Sequence, residues 1–153
     1  MRRLLVAIAA AGLALVPGPL DADPPLNCVY DSTPLVAFGS YDPTLPTATT
    51  VTGSIEFTCK GKDFNVQIAI NPGSSGSVRS RAMRNGTAIL NYNLYQDAGL
   101  SRIWGDFIDE PGVTIFNEKN NTSYRLPVYG SIDAQQDPAI GIYADSLLVT
   151  LMY

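Results

Sequence analysis

Cys28 and Cys59 are the residues best equipped for chemistry, and a chain without a single histidine narrows what that chemistry can be. With no imidazole there is no Ser/His/Asp or Cys/His nucleophilic arrangement and no His-ligated zinc. The side chain whose ordinary pKa lies nearest neutrality is missing too. The other polar groupings lead away from catalysis. Asp109 and Glu110 are adjacent, so on a strand they would point to opposite faces instead of converging as an acid/base pair, and Pro111-Gly112 marks a turn there. The Pro72-Gly73-Ser74-Ser75-Gly76-Ser77 run lacks the Gly-Lys-Ser/Thr ending and the following helix of a phosphate loop, and reads as a flexible connection. Arg79, Arg81 and Arg84 read as a solvated edge or as ion-pair partners, because a net charge of −4 makes a poor nucleic-acid binder. Trp104-Gly105-Asp106 could present an aromatic ring to a sugar, or be half-buried packing. Asn120-Asn121-Thr122-Ser123 holds glycosylation triplets. No catalytic, cofactor-binding or metal site emerges, and no small-molecule substrate is indicated.

The elements that must position these residues begin with an export signal. Arg2 and Arg3 precede the apolar run Leu4 to Val16, which Pro17, Gly18 and Pro19 stop. A charged start followed by an apolar stretch too short to span a bilayer is the pattern of a secretory signal peptide, assigned to residues 1–22. Ala22 stands at the right distance for cleavage, while Gly12-Leu13-Ala14 fits the small-x-small rule better. Cleavage would remove Arg2, Arg3 and one acid, Asp21, leaving residues 23–153 more acidic still. That length suits one domain, which takes roughly 100 to 200 residues. An even pair of cysteines in an exported chain most often forms a disulfide, the alternative being two buried thiols.

Apolar periodicity then sets the class as all-β. From Val51 to Cys59 the apolar or small residues hold the odd positions and polar residues the even ones, which is strand alternation with Cys59 facing inward. Phe64 to Asn71 repeats the pattern, and Gly61-Lys62-Asp63 between them predicts a hairpin. Leu35 to Tyr41, Ile89 to Tyr95, Val113 to Phe116, Tyr124 to Ile132 and Tyr143 to Tyr153 are further strand candidates, and no stretch shows a helical stripe. Many short strands at this spacing predict an antiparallel sandwich or barrel. The last candidate carries Leu147, Val149 and Leu151 on one face if the odd positions turn inward. With no closing strand after it, the sandwich would have an open edge, covered by another chain or by an N-terminal segment of the same one.

A set of short landmarks runs through nearly the whole of residues 23–153. They are Cys28, Phe38-Gly39-Ser40-Tyr41, Gly53-Ser54-Ile55 leading to Cys59, Arg81-Ala82-Met83, Leu90 to Tyr95 with Asp97, Trp104-Gly105-Asp106, Val128 to Ile132, and Gly141 to Ser146 into Tyr153. In this order and spacing the chain resembles the spore coat protein U family, whose domain also builds the subunits of archaic chaperone-usher (Csu-type) pili. The resemblance implies an immunoglobulin-like antiparallel sandwich that lacks its final strand and a Cys28–Cys59 disulfide. It also implies a periplasmic pilus chaperone, an outer-membrane usher and neighbouring pilus subunits as partners. Export through the periplasm to the cell surface would follow, with Leu147, Val149 and Leu151 lining the groove that accepts a donor strand.

The N-terminus departs from that pattern. Cleavage after Ala22 leaves only Asp23 to Asn27 before Cys28, and cleavage after Ala14 leaves a segment holding Pro17, Pro19, Pro24 and Pro25, none of which can donate to a ladder. The sequence therefore predicts a structural subunit, minor or terminal in a pilus. The alternatives are a coat protein of the same family and a small secreted sugar-binding or adhesive module.

Overall fold

The computed structural model describes residues 26–31 and 36–153. The signal segment 1–22, both candidate cleavage sites and Leu35 lie outside the described residues. Eight strands follow in chain order: β1 (Asn27–Asp31), β2 (Thr49–Lys60), β3 (Phe64–Ile70), β4 (Ala82–Asn85), β5 (Ala88–Tyr95), β6 (Val113–Asn117), β7 (Thr122–Ile132) and β8 (Val149–Met152). They form two sheets, β1-β2-β7-β5-β4 and β6-β3-β8, in which every pairing of strands is antiparallel.

Alternation sorts the residues between core and solvent as pleating requires. In β2 the inward set Ile55, Phe57 and Cys59 is buried, and in β3 Val66, Ile68 and Ile70 face it across the sandwich. β5 adds Leu90, Tyr92 and Leu94, and β7 adds Val128 and Ile132. Pro127 falls in the half of β7 that only β2 pairs, where a strand tolerates a missing N–H.

Cys28 and Cys59 stand directly opposite each other in β1 and β2 and form a disulfide. Its loop of 31 residues contributes on the order of 3 to 4 kcal/mol in the chain-entropy account.

Three strand expectations are corrected. β2 and β3 do not form a hairpin: Gly61 (φ 88°) and Asp63 (φ 60°) swing the chain from one sheet to the other. Buried Asn117 fixes that crossing, its Nδ2 donating to the Gly61 carbonyl at 2.7 Å while its own carbonyl accepts from the Asp63 amide at 2.6 Å. Residues 36–41 are not a strand but an irregular segment lying over β7, where Gly130 has no Cβ to strike Val36 and Phe38. Of Tyr143–Tyr153 only Val149–Met152 is a strand, preceded by a single bridge between Ala144 and Arg84. β1 and β4 were not foreseen; each is short and pairs with a single neighbouring strand, so neither shows a sustained alternation.

Candidate functional site

β8 pairs with β3 alone, in the register Gln67↔Met152, Ile68↔Leu151, Ala69↔Thr150 and Ile70↔Val149. Among the described residues no strand lies against its other edge. Beside it opens a cavity of about 830 Å³. The inner face of the larger sheet supplies Met83, Leu90, Tyr92, Leu94 and Ile132, the segment 36–43 supplies Val36, Phe38 and Tyr41, and the irregular segment before β8 supplies residues 138–145. Leu147 and Val149 line the cavity; Leu151 does not, though it too packs against the core. The odd residues of this stretch turn inward, while Leu148 is 62% exposed and Met152 lies outward.

Polar contacts brace both walls. Asn71, just past β3, donates its amide to the Leu148 carbonyl and accepts from the Leu148 amide on Oδ1 at 2.8 Å. Asp145 accepts from Tyr92 Oη at 2.8 Å and from the Ser74 amide at 3.0 Å. Burial first, and then the Asp145 carboxylate, push the Tyr92 phenol well above its ordinary range. Tyr41 Oη donates to the Asp133 carbonyl and accepts from the Gln136 amide, and Phe38 meets the Tyr92 ring edge-on at 5.8 Å.

Arg81 anchors the end of this frame, and it is the residue the sequence placed wrongly. It is not on a solvated edge but fully buried, with no carboxylate in salt-bridge contact among the described residues. Its guanidinium donates to the carbonyls of Ile70 (2.8 Å), Asn71 (3.0 Å), Val78 (3.4 Å) and Trp104 (2.9 Å), and to Asn93 Oδ1 (3.0 Å). Desolvation lowers its pKa, while Tyr92, Asp106 and Asp145 pull it back, and an arginine in such surroundings stays charged. The planar fork thereby ties the end of β3 to β5 and to the segment that carries Trp104.

The remaining candidates are dispersed. Trp104 is 1% exposed, deeper than the half-buried packing or sugar platform considered from sequence, and its indole N–H has no partner among the described residues. A ring in that position cannot stack on a sugar. Arg79 pairs with Glu110 at 2.8 Å, and Asp109 accepts from Ser77 Oγ at 3.0 Å, so both acids brace one turn. Burial opposes ionisation of Asp106, but the Asp109 and Ile108 amides and Arg81 outweigh it and hold its carboxyl below the usual range. Residues 73–75 form a single 3-10 turn whose Ser74 amide meets Asp145. No group of acids and cysteines among the described residues is arranged to hold a metal ion, and no helix there is long and apolar enough to cross a membrane.

Sequence reasoning missed the walls contributed by residues 36–43 and 138–145. Neither has a period, and the signal available was the Phe38 and Gly141–Ser146 landmarks.

Comparison with known proteins gives a family and a fold. The family model of the Spore Coat Protein U domain matches residues 22–150. No curated protein matches the chain significantly. Among solved structures, the chain is similar to one in the crystal structure of the CsuC-CsuE chaperone-tip adhesion subunit pre-assembly complex from archaic chaperone-usher Csu pili of Acinetobacter baumannii. The TM-score is 0.59 at 18% identity, with 84% of this chain and 40% of that chain covered. It is similar also to the P pilus rod subunit PapA, with a TM-score of 0.56 at 15% identity over 82% of this chain and 98% of that one. The sandwich is thus immunoglobulin-like, of the kind seen in pilus subunits.

Proposed function

We propose that this chain, which belongs to the Spore Coat Protein U domain family, is a structural subunit of a surface pilus built by a chaperone-usher pathway through donor-strand complementation. The observation that carries the reading is the apolar cavity beside the unpaired edge of β8. A strand added there gains a row of main-chain hydrogen bonds, and its alternate side chains fill the space above Leu147 and Val149. No covalent bond is made or broken in that step, so it calls for no catalytic residue and no cofactor. A periplasmic chaperone supplies the strand first and a neighbouring subunit later, with an outer-membrane usher passing the chain to the cell surface. The likeness to a chaperone-bound tip subunit and to a rod subunit supports a chaperone and neighbouring subunits as partners.

Residues 1–22 act as the signal peptide and 23–153 as the pilin domain. Pro17, Pro19, Pro24 and Pro25 make the segment before Cys28 a poor donor, which suits a minor or terminal subunit that accepts a strand. The test is a gel of surface-extracted protein run with and without heating. A detergent-resistant ladder that collapses on heating is expected, together with loss of the protein when the chaperone is absent. A stable monomer of high melting temperature, secreted without a chaperone, refutes the reading. A surface layer that forms without ladder or usher would assign the domain to a coat instead.

A further inference from the structure

Residues 133–148 join β7 to β8 and are fixed at both ends. Gln136 presents its side-chain amide to both backbone groups of Asn91, accepting at 2.8 Å and donating at 2.8 Å. At the other end Ala144 bridges Arg84 in both directions, and Asp145 holds Tyr92 and Ser74. Between these anchors, the hydrogen bond made by residues 137–142 among the described residues stays inside the segment, from Tyr143 Oη to the Ala139 carbonyl. Gly141 sits where a Cβ would stand 1.9 Å from Asn85 Nδ2, so the segment hugs the β4–β5 turn at that point. Ile140 is fully exposed and Ile142 is 89% exposed, yet both line the cavity. Two isoleucines held in water at the lip of an apolar cavity gain nothing in the empty molecule.

We propose that residues 137–142 form a strap that closes over an extended segment bound along β8, burying Ile140 and Ile142 against it. The inference rests on the strand-accepting reading above. The occupant is a segment of another chain with apolar side chains at alternate positions. The unpaired ladder edge of β8 runs directly into the cavity, where Val36, Phe38, Met83, Leu90, Leu94 and Ile132 offer apolar surface and Ser40, Tyr41, Tyr92 and Asp145 add polar groups. Anchored ends let the strap move without disturbing the sheets, and its middle gives up no described hydrogen bond to the rest of the fold when it does, only the packing of Gly141 on Asn85. Closure makes the strap a latch: it leaves entry open and slows exit.

The test uses oxidised protein refolded with a fluorescent synthetic peptide of about ten residues that alternates valine and threonine, at the upper end of the usual strand length. Release is followed after adding excess unlabelled peptide. I140S/I142S is expected to release the peptide roughly tenfold or more faster than the natural chain, since dissociation is the step that lost burial accelerates. Ile108→Ser, which removes an exposed isoleucine remote from the cavity lining, is expected to change nothing. Hydrogen exchange on the natural protein, which needs no variant to fold, should show the amides of residues 139–142 protected only when peptide is bound. Equal release rates with no new protection overturn the strap and leave the groove reading intact. A natural chain that binds no peptide overturns both.

Discussion

Replacing Arg81 by methionine removes the guanidinium and leaves its acceptors in place. The carbonyls of Ile70, Asn71, Val78 and Trp104 lose this donor in a region where Arg81 itself has no exposed surface, and Asn93 Oδ1 is left with the Leu94 amide alone. Because the acceptors are mainly backbone, no apolar substitution can remove both sides of the interaction, which is the condition under which losing a buried charge becomes harmless. Stripping one partner from such a network costs about 3 to 5 kcal/mol. A domain of this size holds roughly 5 to 15 kcal/mol in all. The assay is urea unfolding followed by the fluorescence of Trp104, the single tryptophan, which is buried in the folded state. Both proteins are refolded with the same excess of strand peptide, so that the ligand contributes equally. Arg81→Lys should fall between them, because an ammonium has three donors and no fork to span the Ile70 and Trp104 carbonyls. A surface arginine would change stability by about 0.5 kcal/mol or less on substitution. A loss that small for Arg81→Met would refute the pinning role.

Three further outcomes follow from the same frame. Tyr92 has its phenol pKa raised by burial, so the folded state keeps a proton that the unfolded chain gives up near its ordinary value of 10.0. Its contribution is therefore whole below about pH 10 and is lost above it, at about 1.4 kcal/mol per pH unit, and the alkaline slope of an unfolding titration should flatten by about one proton in Tyr92→Phe. Reducing the Cys28–Cys59 bond, or making Cys28→Ser with Cys59→Ser, should lower unfolding stability by about 3 to 4 kcal/mol, and an unchanged urea midpoint would count against it. At Gly105 a Cβ would stand 1.8 Å from the Glu110 carbonyl oxygen, so Gly105→Ala must displace backbone and should cost about 1 to 3 kcal/mol, read as a lower melting temperature.

How far the fold was legible depends on whether a residue's environment is set by its near neighbours. The buried odd residues of β2 could be read from Val51–Cys59 because a pleat repeats every second residue whatever lies beyond it. The same local rule turned Leu147, Val149 and Leu151 inward. It could not say that β2 and β3 belong to different sheets, since that depends on Asn117, a residue of β6 that captures the Gly61–Asp63 crossing. Arg81 was misread for a related reason: its acceptors come from Asn71, Val78, Asn93 and Trp104, separate segments that share no periodicity. The cavity walls are irregular segments held by side-chain hydrogen bonds, and a pattern of apolar residues carries no record of those. The landmarks shared with the Spore Coat Protein U domain pointed to the family and to its immunoglobulin-like sandwich, which periodicity alone does not name.

The register of the sheets also sets a timetable. Thr49 lies against Ile132 and Gln67 against Met152, so the longest ladder and the last strand both join parts of the chain remote from each other in sequence. Contacts of that range make folding slow, because the loop must be closed before any pairing repays it. A chain emerging from an export channel would present β2 and β3 with neither β7 nor β8 yet available. Its inner faces would stay open to any passing strand for as long as translocation lasts. A helper waiting at the exit would then act on the rate of this assembly as much as on its end point, and its abundance relative to emerging chains would decide how many reach the ordered state.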